Sequence, residues 1–253
     1  MSGNREKVVA LQRRDQRLLS ELSVMRIVDR EQAKVVAGFA STTRANARLL
    51  ALTKGGYLRR SFVGTIGGGR KAIYRLSEKA IQAGYAGAAT GRDHSALFLE
   101  HQLLINEVYI EIKYRPIPMP ECTFHQWTDF TGTLSKTTML IPDGYFELRH
   151  HSVVKSVFLE VDLGTEAGRI WQKKIDGYLK LALSGEFQKL FGQSQFKVAV
   201  IAGSGRRVEN IRRLAAKFTD KIFRFTTFES IKREGLWSAI WLRPAGDQRV
   251  PLL

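Results

Sequence analysis

Residues 57–76 restrict the fold more than any other stretch of the chain. Tyr57 to Gly64 (YLRRSFVG) alternates with the period of two expected of a half-buried strand, and Ala72 to Leu76 (AIYRL) reads as a second strand. Between them, Thr65-Ile66-Gly67-Gly68-Gly69-Arg70-Lys71 is too rich in glycine for either regular element and predicts a flexible turn. The outcome is a hairpin with cations at its tip. Its glycines would let the main chain lie close against a partner's backbone.

What precedes the hairpin predicts three short helices. Arg14 to Ser23 carries Leu18, Leu19 and Leu22 at helical spacing. Asp29 is a good N-cap for a second helix that turns Ala33, Val36 and Ala37 inward and ends near Gly38. Ser41 caps a third, Thr42 to Thr53, with Ala45, Leu49, Leu50 and Leu52 apolar; Gly55-Gly56 stops it. Ser77 then caps a short helix, Glu78 to Ala83. Three helices followed by a basic hairpin is the order of a winged helix-turn-helix. In that motif the third helix enters the major groove with its first residues at base edges. The candidate DNA-facing residues are therefore Ser41, Thr42, Thr43, Arg44, Asn46 and Arg48. Arginine pairs with guanine and asparagine with adenine in bidentate fashion. Arg59, Arg60, Arg70 and Lys71 on the hairpin would bind phosphate or enter the minor groove.

The charge distribution points the same way. Residues 1–92 hold 18 lysines and arginines against 6 acidic residues, an excess of 12 in a chain whose net charge is +16. A polyanionic partner fits such a concentration, and a dispersed solubility charge does not. No run of 18 apolar residues exists, so a membrane span is not expected. Met1 to Arg17 lacks the apolar stretch of a secretory signal, and the single cysteine, Cys122, excludes an internal disulfide framework. These features predict a cytoplasmic protein that binds double-stranded DNA, with homodimerisation open because winged helices often pair.

The small, Gly/Ala-rich run Gly84 to Gly91 predicts a hinge, which divides the chain into residues 1–90 and 91–253. The second part reads as a long helix, His94 to Lys113; three strands, Thr123 to Phe130, Met139 to Leu148 and Val153 to Val161; and a helix, Ala167 to Ser184. A buried strand, Phe196 to Ala202, a helix, Val208 to Lys217, and final strands near Ile222 to Thr226 and Ser238 to Leu242 complete it. That order predicts an α/β domain with a mixed central sheet.

Acidic residues gather at its strand ends. Asp143 follows Pro142 in the second strand, and Glu160 and Asp162 end the third. Glu160 and Asp162 are two apart, so they share a face. Clustered carboxylates suit a hard cation such as Mg2+, with Glu107 or Glu100 completing the set. Lys174 and Tyr178 are four apart on the next helix and share a face. The same acids would equally serve as solvated strand ends. Asp162 would then pair with a nearby lysine, and Glu166 would favour the next helix's N-terminus.

This pattern of P-D, then E-x-D, then a helix with Lys and Tyr resembles the PD-(D/E)xK nuclease superfamily. More narrowly, the chain resembles the replication-relaxation family of plasmids and mobile elements. The similarity runs from the winged helix through Leu99-Glu100-His101, Asn106-Glu107-Val108, Pro142-Asp143, Glu160 to Glu166, and Lys174-Ile175-Asp176-Gly177-Tyr178. The resemblance implies that Asp143 and Glu160 hold a divalent metal with Glu107 in support. That ion would activate water and polarise a scissile phosphate. Asp162 stands where the superfamily has its lysine, and Lys174 occupies the first position of the Q-x-x-x-Y helix motif, with Tyr178 at its last. Replication or mobilisation of a mobile element is the expected role. A magnesium-dependent nickase and a transcriptional regulator with an inactive second domain are the rivals. Gly203-Ser204-Gly205-Arg206-Arg207 reads as a strand-to-helix turn with the option of binding phosphate. The four tryptophans read as core or domain contacts.

Overall fold

A computed structural model describes residues 9–64, 68–86, 95–164 and 166–253. The chain divides into two compact units, one ending at Ile110 and the other beginning at Glu111.

The first unit opens with α1 (Arg13–Met25), β1 (Val28–Asp29), α2 (Arg30–Ala37) and α3 (Thr42–Lys54). Their inward faces follow the apolar spacing: Leu18, Leu19, Ala33, Val36, Ala45, Leu49 and Leu52 are fully buried. Asp29 accepts from the Gln32 N–H at 2.8 Å and Ser41 from the Arg44 N–H at 3.3 Å, so both N-caps form as expected. Gly38 ends α2 at a φ of 67°, a left-handed conformation that glycine adopts without penalty. The strands β2 (Leu58–Gly64) and β3 (Arg70–Leu76) pair antiparallel from Leu58↔Leu76 to Gly64↔Arg70. Val28 and Asp29 add a short third strand on the other side of β3, giving the order β1-β3-β2. Residues 65–67 of the expected turn lie outside the described residues. A short α4 (Glu78–Gln82) follows, capped by Ser77.

Helix α5 (Ala96–Lys113) begins after residues 87–94, which hold much of the expected hinge and lie outside the described residues. The division into two compact units falls inside this helix, after Ile110. Hydrogen bonds explain why. The buried Asn106 amide donates to the carbonyls of Met25 and Ile27, at 3.1 and 2.6 Å, just past the end of α1. Gln32 donates to the Leu103 carbonyl, and Leu103 packs on Ile27 and Ile73. The first part of α5 is thus a wall of the first unit.

The second unit is α/β with one mixed sheet of seven strands. Its elements are β4 (Cys122–Thr128), β5 (Gly144–His150), β6 (Val153–Asp162), α6 (Gly168–Leu183), α7 (Glu186–Phe191), β7 (Lys197–Ala202), α8 (Gly205–Ala215), β8 (Phe223–Thr227), α9 (Phe228–Glu234), β9 (Trp241–Leu242) and β10 (Arg249–Val250). The spatial order is β10-β9-β8-β7-β6-β5-β4. Pairs β6·β7 and β7·β8 are parallel, as helical crossovers require, and the outer pairs are antiparallel. Central β6 is buried from Ser156 to Asp162. Phe158 anchors the helix-covered face, with the rings of Tyr145, Tyr178, Phe187, Phe191 and Phe196 at 4.9–5.9 Å. Such tilted and edge-on aromatic pairs add about 0.5–1.5 kcal/mol each beyond area burial.

One expected strand is shorter than its pattern. Met139 to Asp143 stays outside β5: Met139 has a φ of 50°, and Pro142 has no N–H to give a ladder. Among the described residues, no helix is long and apolar enough to cross a membrane.

Candidate functional site

On α3 the buried residues Ala45, Leu49 and Leu52 fix which side faces outward. Thr43, Arg44, Asn46 and Ala47 are exposed, as is Leu50 one turn on; Ser41 and Thr42 are half-buried. Arg59 and Arg60 on β2 and Arg70 and Lys71 on β3 are exposed as well. Arg60 lies over the Phe62 ring at 5.2 Å, and Lys71 reaches Asp29 at 3.0 Å. Arg48 departs from its expected role. Its guanidinium holds the fully buried Asp15 carboxylate, with Nε at 2.9 Å from Oδ1, and donates to the Ala10 carbonyl at 2.7 Å. Arg48 therefore ties α3 to α1 and is spent inside the fold.

In the second unit, β6 and α6 bring the acidic residues and Lys174 together. Glu160 and Asp162 both point at α6, as their spacing demands. Glu160 has no exposed surface, and each of its oxygens is occupied: Lys174 Nζ donates to Oε2 at 2.9 Å and Tyr178 OH to Oε1 at 2.6 Å. Lys174 also donates to Glu166 at 2.8 Å and lies 5.1 Å over the Trp171 ring. Asp143 sits just before β5. Its Oδ2 accepts the Val161 N–H at 2.7 Å, extending the β5·β6 ladder by a side chain. Gly144 has to be glycine, because a Cβ there would meet the Trp127 ring at 2.5 Å.

Asp162 belongs to a second, adjoining knot. Arg207 clasps it with Nε at 3.0 Å and a second nitrogen at 2.7 Å, and the Trp171 indole and Gly164 N–H also donate to it. The bidentate fork is the strong form of this pair.

The electrostatics follow from one ammonium among three carboxylates. Burial, with the Asp143 charge nearby, pushes Glu160 up to about 7 against the pull of Lys174 and Tyr178. Burial works against the Lys174 ammonium, yet Glu160, Asp143 and Glu166 together hold it above the ordinary lysine value. Burial and Glu160 raise Tyr178 well above an ordinary tyrosine, so it remains a phenol that donates. Burial alone would raise Asp162, but Arg207, Trp171 and Gly164 outweigh it and bring its pKa below the ordinary aspartate value.

A divalent ion needs about six oxygen ligands at roughly 2.0–2.6 Å. As arranged, these residues do not fit one. Both oxygens of Glu160 are engaged, Asp162 is engaged by Arg207, and the Lys174 ammonium stands between Glu160 and Glu166. Among the described residues, no group of three or more His, Cys, Asp or Glu side chains is placed to hold a metal ion. Glu107 is exposed on α5 and belongs to the first unit, so the second unit joins only Asp143 and Glu160 of the expected trio.

The family model described as replication-relaxation matches residues 14–194, from α1 through α7. The chain belongs to the replication-relaxation family. No curated protein and no solved structure matches it.

In this replication-relaxation protein, Asp143, Glu160, Lys174 and Tyr178 form one hydrogen-bonded and charged group, as their order in the chain suggests. Three participants were not expected there. Arg207 lies 45 residues from Asp162 and takes the place assigned to a lysine. Ser204 caps α8 by accepting the Arg207 N–H, so this turn aims an arginine at a carboxylate. Glu166 reaches back to Lys174, and Trp171, read as core, donates to Asp162. The only advance signal was the Lys174-to-Trp171 spacing of three on one helix face.

Proposed function

We propose that this replication-relaxation protein binds double-stranded DNA through a winged helix-turn-helix in its first unit, in the replication or mobilisation of a plasmid or other mobile element. The observation that carries this reading is the outward face of α3 and the β2–β3 hairpin. Arg44, Asn46, Arg59, Arg60, Arg70 and Lys71 are all exposed there, on a three-helix core with the strand order β1-β3-β2. Helix α3 would lie in the major groove, with Arg44 and Asn46 at base edges. The hairpin would serve as the wing on the phosphate backbone. Arg48 is excluded from that surface by Asp15.

Fluorescence anisotropy with a labelled duplex tests it. The Arg44→Ala/Arg70→Ala variant is expected to bind at least about tenfold more weakly and to lose about one unit of the salt slope, the roughly 0.9 that goes with the Arg70 phosphate contact. An unchanged affinity and slope would sink the assignment.

The second unit is, on this reading, a PD-(D/E)xK-like fold whose cation position Lys174 fills, so that it holds no ion and does not cut. The closed set of partners around Glu160 supports this. Supercoiled plasmid incubated with the protein and magnesium is expected to stay supercoiled. Nicking that disappears in Asp143→Ala and Glu160→Ala would establish the nickase instead.

A further inference from the structure

At the end of the sheet away from Glu160 and Asp162, the parallel strands begin in a cleft of about 520 Å³. Residues at the starts of β6 and β7, the segment before β7 and the approach to β8 line it. They include Lys155, Lys197 and Lys221, with Gln193, Ser194 and Gln195 between them, and otherwise apolar side chains; no acidic residue lines it.

No acidic side chain lines the cleft, and Leu253 completes its wall. None of the ion pairs among the described residues involves Lys155, Lys197 or Lys221. Lys197 is half-buried and donates to the Leu252 carbonyl at 3.0 Å. Arg224, beside them on β8, is only 7% exposed. One of its terminal nitrogens is held by the Lys221 and Phe223 carbonyls, while its buried Nε has no partner among the described residues. Burial, then the charges of Arg224, Lys155 and Arg243, brings Lys197 down to about 8. Holding the half-buried Lys197 beside the buried Arg224 is unfavourable, and folding tolerates it here at a concave, half-apolar surface.

We propose that this cleft binds a phosphate monoester of up to mononucleotide size. A phosphate would supply the missing negative charge to Lys155, Lys197 and Lys221. The neutral amides and the apolar wall would seat the rest of the ligand, and the volume lies within the range of about 300–1,000 Å³ usual for small-molecule sites. The cleft draws on residues from both inside and beyond the 14–194 match, and its argument is independent of the DNA surface on α3.

Calorimetry on the full chain tests the proposal with three probes: inorganic phosphate, dTMP and thymidine. Saturable one-to-one binding of dTMP, with or without binding of phosphate alone, is expected. It should weaken at least about tenfold, or 1.4 kcal/mol, in Lys155→Gln/Lys221→Gln, both exposed positions whose loss leaves the fold intact. The Arg44→Ala/Arg70→Ala variant should bind dTMP as the parent does. The proposal is overturned if neither phosphate nor dTMP binds at millimolar concentration, or if thymidine binds as tightly as dTMP. It is also overturned if the lysine variant binds unchanged, or if the α3 and hairpin variant loses binding.

Discussion

Arg207→Ala is expected to destabilise the second unit by about 3–5 kcal/mol, the usual cost of removing one partner of a buried ion pair. Asp162 has no exposed side-chain surface, and Arg207 supplies two of the bonds that neutralise it. The same guanidinium also holds the Glu166 carbonyl at 2.5 Å, fixing the approach to α6. All four tryptophans lie in the second unit, so intrinsic fluorescence during urea denaturation reports on it alone. The pH dependence has a definite sign. Asp162 titrates below its ordinary value near 3.8, so its contribution is present above that value and lost as pH falls through the lower folded one. In the variant, only Trp171 and Gly164 still offset burial, and the deficit should shrink on acidification as Asp162 takes up a proton. Asp162→Asn combined with Arg207→Met removes both charges and should recover much of the loss. A single variant with the parent's midpoint would refute the account.

Lys174→Met is expected to cost the same unit about 3 kcal/mol at pH 8, because Asp143, Glu160 and Glu166 then lose their shared counter-ion. Lys174 is held above the ordinary lysine value, so its contribution is complete below pH 10.5 and is lost only in strong alkali. Glu160 runs the other way. Its folded value, about 7, exceeds the ordinary 4.5, so this group favours the fold most when protonated, and its contribution declines as pH rises between those values. Without the ammonium, Glu160 should titrate higher still. The variant's deficit should therefore be large at pH 8 and small near pH 5. Millimolar magnesium gives a second reading in the same experiment. If Lys174 fills a cation position, its removal should let the ion raise the variant's denaturation midpoint and leave the parent unmoved. A deficit independent of pH would show that Lys174 contributes by packing alone.

The first three helices were legible because burial in each is one-sided, and β6 and β7 because each is a nearly continuous apolar run buried on both faces. Leu18, Leu19 and Leu22 on α1, and the two-residue spacing of Glu160 and Asp162, carry that information locally. The N-caps Asp29, Ser41 and Ser77 were legible for the same reason: each acts on an N–H three residues away. What escaped was set by distant partners. Arg48 looks like any exposed helical arginine until Asp15, 33 residues earlier, is folded against it. Arg207 looks like part of a phosphate turn until β6 places Asp162 before it. Asp29 reads as a helix N-cap, and only the pairing of Val28 and Asp29 with Tyr74 and Ile73 adds a strand there. Asp143 reads as a strand residue because its neighbours Leu140 and Tyr145 are apolar, whereas Pro142 delays the ladder and the carboxylate itself supplies the missing acceptor.

The Asn106 side chain bears on how such a protein can be cut and recombined. The Gly/Ala run near residue 90 looks like the natural seam, yet a fragment ending there would leave the Met25 and Ile27 carbonyls without their amide. It would also uncover Ile27 and Ile73, which Leu103 shields. The heritable module is therefore longer than its flexible border suggests. Exchange between relatives would preserve a working first unit only where the crossover falls beyond Ile110, with the leading turns of α5 travelling with the helices they seal.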